Sequence, residues 1–279
     1  MKTLAIDTLV SVSQQIGASV AYAQGGGGNT SIKYQKNWML IKASGSRLAA
    51  MQPDSGYSII HTAPIDTLIR QGITDARLDA AIANNVCPSS PHSIPSIETS
   101  LHILLGRCVI HCHSIYANVL NCSYEGESII QALFPEALCI PYTTVGPALA
   151  QALYQRRARR HAPLIFLQNH GLIVQADDMH EAHRLHTAVQ QKIQRYLAID
   201  TQQHGPLVNE DITSTILFPD QLVYLQTPHT QAYKETLWAF ERIRHIQHIR
   251  HLTPRYLSPQ AQQELSSLSS ETHRQRVAI

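Results

Sequence analysis

Apolar residues recur along this chain with two different periods, and the two periods take turns. Leu4, Ala5, Leu9, Val12 and Ile16 stand at helical spacing within residues 4–16, as one face of an amphipathic helix requires. SIKY and WMLIKAS follow and read as strands, with Gln35-Lys36-Asn37 between them as a hairpin turn. GYSIIHT (56–62), CVIHCH (108–113), residues 138–140 and residues 163–168 are further strands in this reading. Segments 64–70, 98–105, 115–121, 126–133, 147–160, 178–198 and 229–251 read as helices. Pro64 and Asp177-Asp178 stand at helix starts, where a fixed φ and a negative charge are favoured. Leu222–Leu225 is a candidate last strand, and the tail is a candidate helix as far as Ser267. Such interleaving confines the chain to a layered α/β or α+β fold, in which helices cover the faces of a sheet.

The core for such a fold is available: 44% of the 279 residues are apolar and the net charge is +2. That combination excludes disorder over most of the chain. Lys and Arg number 22 against 20 Asp and Glu, so there is no electrostatic case for nucleic acid or a membrane surface as partner. No apolar run approaches the roughly 20 residues of a membrane span. The first twelve residues, broken by Asp7, make a poor signal peptide. The expectation is a soluble, cytoplasmic protein. Cys87, Cys108, Cys112, Cys122 and Cys139 form no CxxC pair and are odd in number, which favours reduced thiols over a disulfide framework. Nothing forces a boundary before about residue 205, so residues 1–204 read as one domain and 205–279 as a helical extension. That extension packs on the same domain or a neighbouring subunit, because Leu237, Phe240 and Ile243 need burial.

His111-Cys112-His113 ends one of the strands. Side chains alternate along a strand, so both imidazoles face the same side, and two such groups can chelate a divalent metal. His170 ends another strand and is followed by Gly171, as if the chain turns closely past a site. Glu98 opens a helix 13 residues before His111. Three His and one carboxylate make a set suited to Zn²⁺ or Fe²⁺. His102, four residues after Glu98, reads as a buried structural histidine, with a fourth ligand as the alternative. Gly25–Gly28, followed by Asn29, offers backbone N–H groups that could cradle an anion. Ser44-Gly45 is a second small polar turn, and Pro95-Ser96 lies at a helix start. Together they point to a phosphorylated or carboxylated small substrate. Arg156, Arg157, Arg159 and Arg160 read as a solvated helix end.

These residues resemble the class II aldolase/adducin family. The match runs through Gly28-Asn29-Thr30-Ser31, Ile41-Lys42-Ala43-Ser44-Gly45, Ser96-Ile97-Glu98, His111-Cys112-His113-Ser114-Ile115-Tyr116-Ala117 and Asn169-His170-Gly171. The spacing of Glu98, His102 and His111 looks most like the aldolase half of fused aldolase/short-chain dehydrogenase proteins. The resemblance implies a three-layer α/β/α sandwich around a central, mostly antiparallel sheet, in a homotetramer with sites between subunits. It implies that His111, His113 and His170 hold a divalent metal, zinc first, with iron, manganese or cobalt as alternatives. Glu98 would then be the acid/base, with a pKa raised by a dry pocket, and Gly28, Asn29, Ser44, Gly45 and Ser96 would line the substrate pocket. Ala43 stands where Pro is frequent in the family's aldolases, and Tyr142 and Tyr224 are candidates for the family's catalytic Tyr. The implied activity is a metal-dependent aldolase-type lyase acting on a small phosphorylated sugar. An epimerase, dehydratase or decarboxylase on the same scaffold is the alternative, as is a non-catalytic, adducin-like assembly protein.

Overall fold

The computed structural model describes residues 2–92, 94–156, 162–199, 212, 215–268, 273 and 276. Its strands are β1 (Asn29–Tyr34), β2 (Trp38–Lys42), β3 (Tyr57–His61), β4 (Cys108–Cys112), β5 (Leu138–Ile140), β6 (Leu164–Leu167) and β7 (Gly171–Ala176). They form one sheet in the order β3-β2-β1-β4-β7-β6-β5. Every neighbouring pair is antiparallel except β5 with β6. That parallel pair is joined by the helix α7 (Pro147–Gln155), as a same-direction crossover requires.

Strand alternation builds two cores. Leu40, Ile110, Leu172 and Val174 pack on one face of the sheet. Met39, Ile41, Val109 and Ile173, one residue out of step, pack on the other. The first face is covered by α1 (Lys2–Gly17), α5 (Ile115–Asn121), α6 (Gly126–Leu133), α8 (Met179–Tyr196) and α10 (Gln231–Ile249). The second is covered by α2 (Ala63–Arg70), α3 (Ala76–Asn84), α4 (Thr99–Leu104) and α7. The protein is thus a three-layer α/β/α sandwich with a mostly antiparallel centre.

Antiparallel order also decides where the site forms. Ser31 pairs with Ile41, Asn29 with His111, and Cys112 with Leu172. The start of β1, the end of β2, the end of β4 and the start of β7 therefore meet at one end of the central strands.

The structure corrects the sequence reading in several places. Residues 171–176, given no element in the sequence reading, form a strand. The chain turns over residues 168–170, with Asn169 at φ 53°, and returns as the internal strand β7. Leu222–Leu225 is not a strand: most of it lies in the helix α9 (Pro219–Tyr224), which begins with Pro in its first turn. A further helix, α3, is capped by the Asp75 side chain accepting from the Arg77 N–H. The tail helix is α11 (Pro259–Ser266), capped by Ser258. α7 ends at Gln155 with Arg156 as its C-cap, and Arg157, Arg159 and Arg160 lie outside the described residues, as does the boundary at 204/205. Among the described residues no helix is long and apolar enough to cross a membrane.

Candidate metal centre and binding cleft

β4 delivers His111 on the face of the sheet covered by α4, and His113 follows the strand with the same parity. Ser114 then starts α5, its hydroxyl accepting from the Ala117 N–H. The β6–β7 turn brings His170 to the same point. One ligand nitrogen from each of His111, His113 and His170 lies within 4.8 Å of the others, and all three residues are buried. Gly171 permits this approach. A Cβ at that position would sit 2.5 Å from the Cys112 carbonyl oxygen and 2.9 Å from His111 Cε1.

Hydrogen bonding fixes the tautomers. His111 Nδ1 lies 3.2 Å from the Leu172 carbonyl oxygen, which can only accept, so Nδ1 carries the hydrogen. His113 Nδ1 is bonded to a carboxylate oxygen of Asp220, and the same logic applies. Burial pushes the His111 imidazole down to about 4 and the His170 imidazole down to about 3, against the upward pull of Glu98. The neutral His111 ring in this tautomer presents a bare lone pair at Nε2. The Nε2 atoms of His111 and His113 face one another at 3.0 Å. That approach is satisfied by a proton shared between the two nitrogens or by a cation bound to both. Glu98 Oε1, also buried, has no hydrogen-bond partner among the described residues. The donors and the unsatisfied oxygen fit a divalent metal ion, in the form in which imidazole and carboxylate bind one.

Glu98 precedes α4 but does not cap it with its side chain. Its carboxylate turns to the histidines instead, 3.3 Å from His111 Nε2 and 3.6 Å from His170 Nε2. Asn29 Nδ2 donates to its Oε2 at 2.7 Å. Burial pushes the Glu98 carboxyl up, but the imidazoles of His111, His170 and His113 and the Asn29 amide outweigh it and hold the group at about 2. The expected raised pKa is therefore reversed. The pocket is dry, but the Asn29 amide donates to the charged form, and positive charge on the histidine cluster favours it further.

β1 fixes this geometry through alternate side chains. Asn29 holds Glu98, Ser31 Oγ lies 2.7 Å from His102 Nδ1, and Lys33 Nζ donates to the Ile103 carbonyl at 2.8 Å. His102 is thus engaged with β1 and lies outside the three-histidine group.

A cleft opens over this cluster, and Gly28, Asn29, Ser44, Gly45, Ser96, Glu98, His113 and His170 all line it. Ile97, Val145 and Pro219 add an apolar wall. His111 lies behind, fully buried. The glycine run departs from expectation. The N–H groups of Gly25, Gly26 and Gly27 donate to Glu235, to the Tyr224 hydroxyl and to the Gln24 carbonyl, so they are not available to an anion. Glycine serves there for close packing. A Cβ on Gly27 would collide with Asp220 Oδ2 and lie 2.7 Å from His113 Nδ1.

The sequence model of the class II aldolase and adducin N-terminal domain matches residues 7–197. The chain belongs to this family. An uncharacterised oxidoreductase, YuxG of Bacillus subtilis (strain 168), is 27% identical over 210 residues, which are 71% of this chain and 30% of that relative. The chain thus spans under a third of that longer protein. The N-terminal class II aldolase domain of a conserved Thermoplasma acidophilum protein superposes with a TM-score of 0.61 at 23% identity, covering 69% of this chain and 93% of that one. An L-fuculose 1-phosphate aldolase superposes with a TM-score of 0.50 at 19% identity, covering 74% and 91%. At these identities both likenesses speak for the fold alone.

Two residues at the site of this class II aldolase/adducin protein lie beyond the matched segment. Asp220 is fully buried and bonded to His113. The sequence signal for it was slight: an acid after Pro219 at a helix start. Tyr224, one of two candidates for a catalytic Tyr, is buried with its hydroxyl accepting from the Gly26 N–H at 2.8 Å, which makes it a support for the glycine loop. The other candidate, Tyr142, packs with Ile216, Leu257 and Ala261.

Proposed function

We propose that this protein is a metal-dependent aldolase-type lyase acting on a small phosphorylated sugar or a related hydroxy-carbonyl compound. The observation that carries this reading is one cleft with two kinds of group: His170 and His113 beside Glu98, and the small polar residues Asn29, Ser44, Gly45 and Ser96. His111, His113 and His170 would hold the ion, zinc first. A bound divalent cation supplies Lewis acidity toward adjacent hydroxyl and carbonyl oxygens. Ser44, Gly45 and Ser96 hold the anionic end of the substrate, and Ile97 and Val145 keep water from the reacting end. Glu98, aligned by Asn29, takes the hydroxyl proton as the carbon–carbon bond breaks, and a proton returned to the new carbanion completes the products, an aldehyde and a shorter ketose phosphate. The same reading makes residues 1–204 the catalytic domain, 205–279 a helical extension, and the protein a cytoplasmic homotetramer.

The test joins metal analysis of the purified protein to a screen of ketose 1-phosphates for aldehyde release. About one divalent ion per chain and turnover of at least one ketose phosphate are expected. Full metal occupancy in His111→Ala/His113→Ala, or a metal-loaded protein that binds no sugar phosphate, refutes the proposal.

A further inference from the structure

Among the described residues, Asp220 is the one fully buried carboxylate bonded to the histidine group from outside the matched family segment. Its position is over-determined. Gln221, the next residue, accepts from the Leu217 N–H at 2.8 Å and donates to the Thr215 carbonyl at 2.7 Å, which pins the start of α9. Asn169, beside His170, donates to the Leu217 carbonyl at 2.9 Å and to the Arg255 carbonyl at 2.6 Å. The C-terminal segment is therefore fastened on both sides of the cluster, at His113 and at the turn that carries His170. Tyr224 and Glu235 hold Gly26 and Gly25 of the loop that lies against the His113–Asp220 pair, and Gly27 leaves no space between them for a side chain.

We propose that the C-terminal helices are a working part of the metal centre, with Asp220 as a positioning residue that holds His113 in the tautomer and orientation turning its Nε2 toward the ion. This inference rests on the metal reading given above. A carboxylate accepting from Nδ1–H keeps the hydrogen off Nε2, prevents the ring from flipping, and makes the ligand more basic. Loss of such a partner characteristically weakens metal binding by about 10–100-fold.

The experiment measures zinc affinity of the full chain by competition with a chromophoric chelator, alongside thermal melting of the metal-free protein. Asp220→Asn keeps the shape and removes the charge; it should weaken zinc about 10-fold with little change in the metal-free melting temperature. Asp220→Ala should weaken it further. Gly27→Ala, which wedges the pair apart while leaving both residues in the sequence, should move zinc affinity in the same direction and keeps the test decisive if Asp220→Ala folds poorly. Zinc affinity equal to wild type in both Asp220→Asn and Gly27→Ala overturns the proposal and leaves Asp220 a structural partner only. A wild-type chain that binds no zinc or other divalent ion overturns the metal reading beneath it, so the two failures are distinguishable.

Discussion

Replacing Gly171 by Ala adds one methyl group at the point where β7 passes the histidines. The backbone tolerates it, because Gly171 is not among the residues with positive φ. Space does not. The added carbon would lie 2.5 Å from the Cys112 carbonyl oxygen, 2.9 Å from His111 Cε1 and 3.2 Å from His113 Cδ2. Ordinary contact begins near 3.4 Å, so the Cys112 carbonyl must retreat by about 0.9 Å or β7 must move away. Overpacking of this kind costs about 1–3 kcal/mol. At about 2–4 °C per kcal/mol for a chain of similar size, melting should fall by about 2–12 °C. Two of the three crowded atoms belong to His111 and His113, so metal content measured after dialysis should fall as well. Gly72→Ala is the control: its φ is +79° and nothing lies within 4 Å of the added carbon, so it costs about 1–2 kcal/mol through the backbone alone and leaves metal content unchanged. A Gly171→Ala protein with wild-type melting and wild-type metal content would refute the argument that glycine is needed there for close approach.

Three other outcomes are expected. Glu98→Gln should retain metal and lose about 10²–10⁴-fold in turnover, the usual worth of general acid–base catalysis, whereas metal loss would make Glu98 a ligand first. Ser44→Ala and Asn29→Ala should weaken inorganic phosphate binding, read by calorimetry, with metal content intact; unchanged affinity in both would move the anion site elsewhere. His186, buried against Cys112 and Gln190, is pushed down to about 3 by burial and by His183. The unfolded chain takes up its proton near pH 6.5 and the folded chain only near 3, so its contribution is intact above 6.5 and is lost as pH falls through that window, at up to about 1.4 kcal/mol per pH unit. His186→Gln should flatten the acid limb of stability against pH by one proton, and an unchanged slope in denaturant titrations would contradict the assignment.

How much of the site was legible depended on sequence distance. His111 and His113 are two residues apart on a strand, so period alone aims them together, and Ser96 and Glu98 share one turn. Convergence of Glu98 with His170 came only from the resemblance, since periodicity says nothing about which strands pair. Asp220 was missed because its partner His113 is 107 positions away and because the apolar run around it looked like a strand. There, Val223 and Tyr224 suggested β structure, while Pro219 and Asp220 mark a helix start; the start signal decides the outcome. The glycine run misled in another way. Glycine permits both an anion cradle and tight packing, and only the partners Glu235 and Tyr224, again some two hundred positions on, show that packing claims the N–H groups.

The alternate side chains Asn29, Ser31 and Lys33 on β1 bear on how the sheet assembles. A slip of one residue in β1 would bring Thr30, Ile32 and Tyr34 to face α4 in their stead. Glu98 would then lose its amide donor, His102 its hydroxyl and the Ile103 carbonyl its ammonium, while an Ile and a Tyr met polar groups. Each buried group so orphaned costs about 1–3 kcal/mol, more where it is charged. A misaligned sheet is thus penalised at three heights at once, and the strand that aligns the Glu98 carboxylate also proofreads its own pairing during folding.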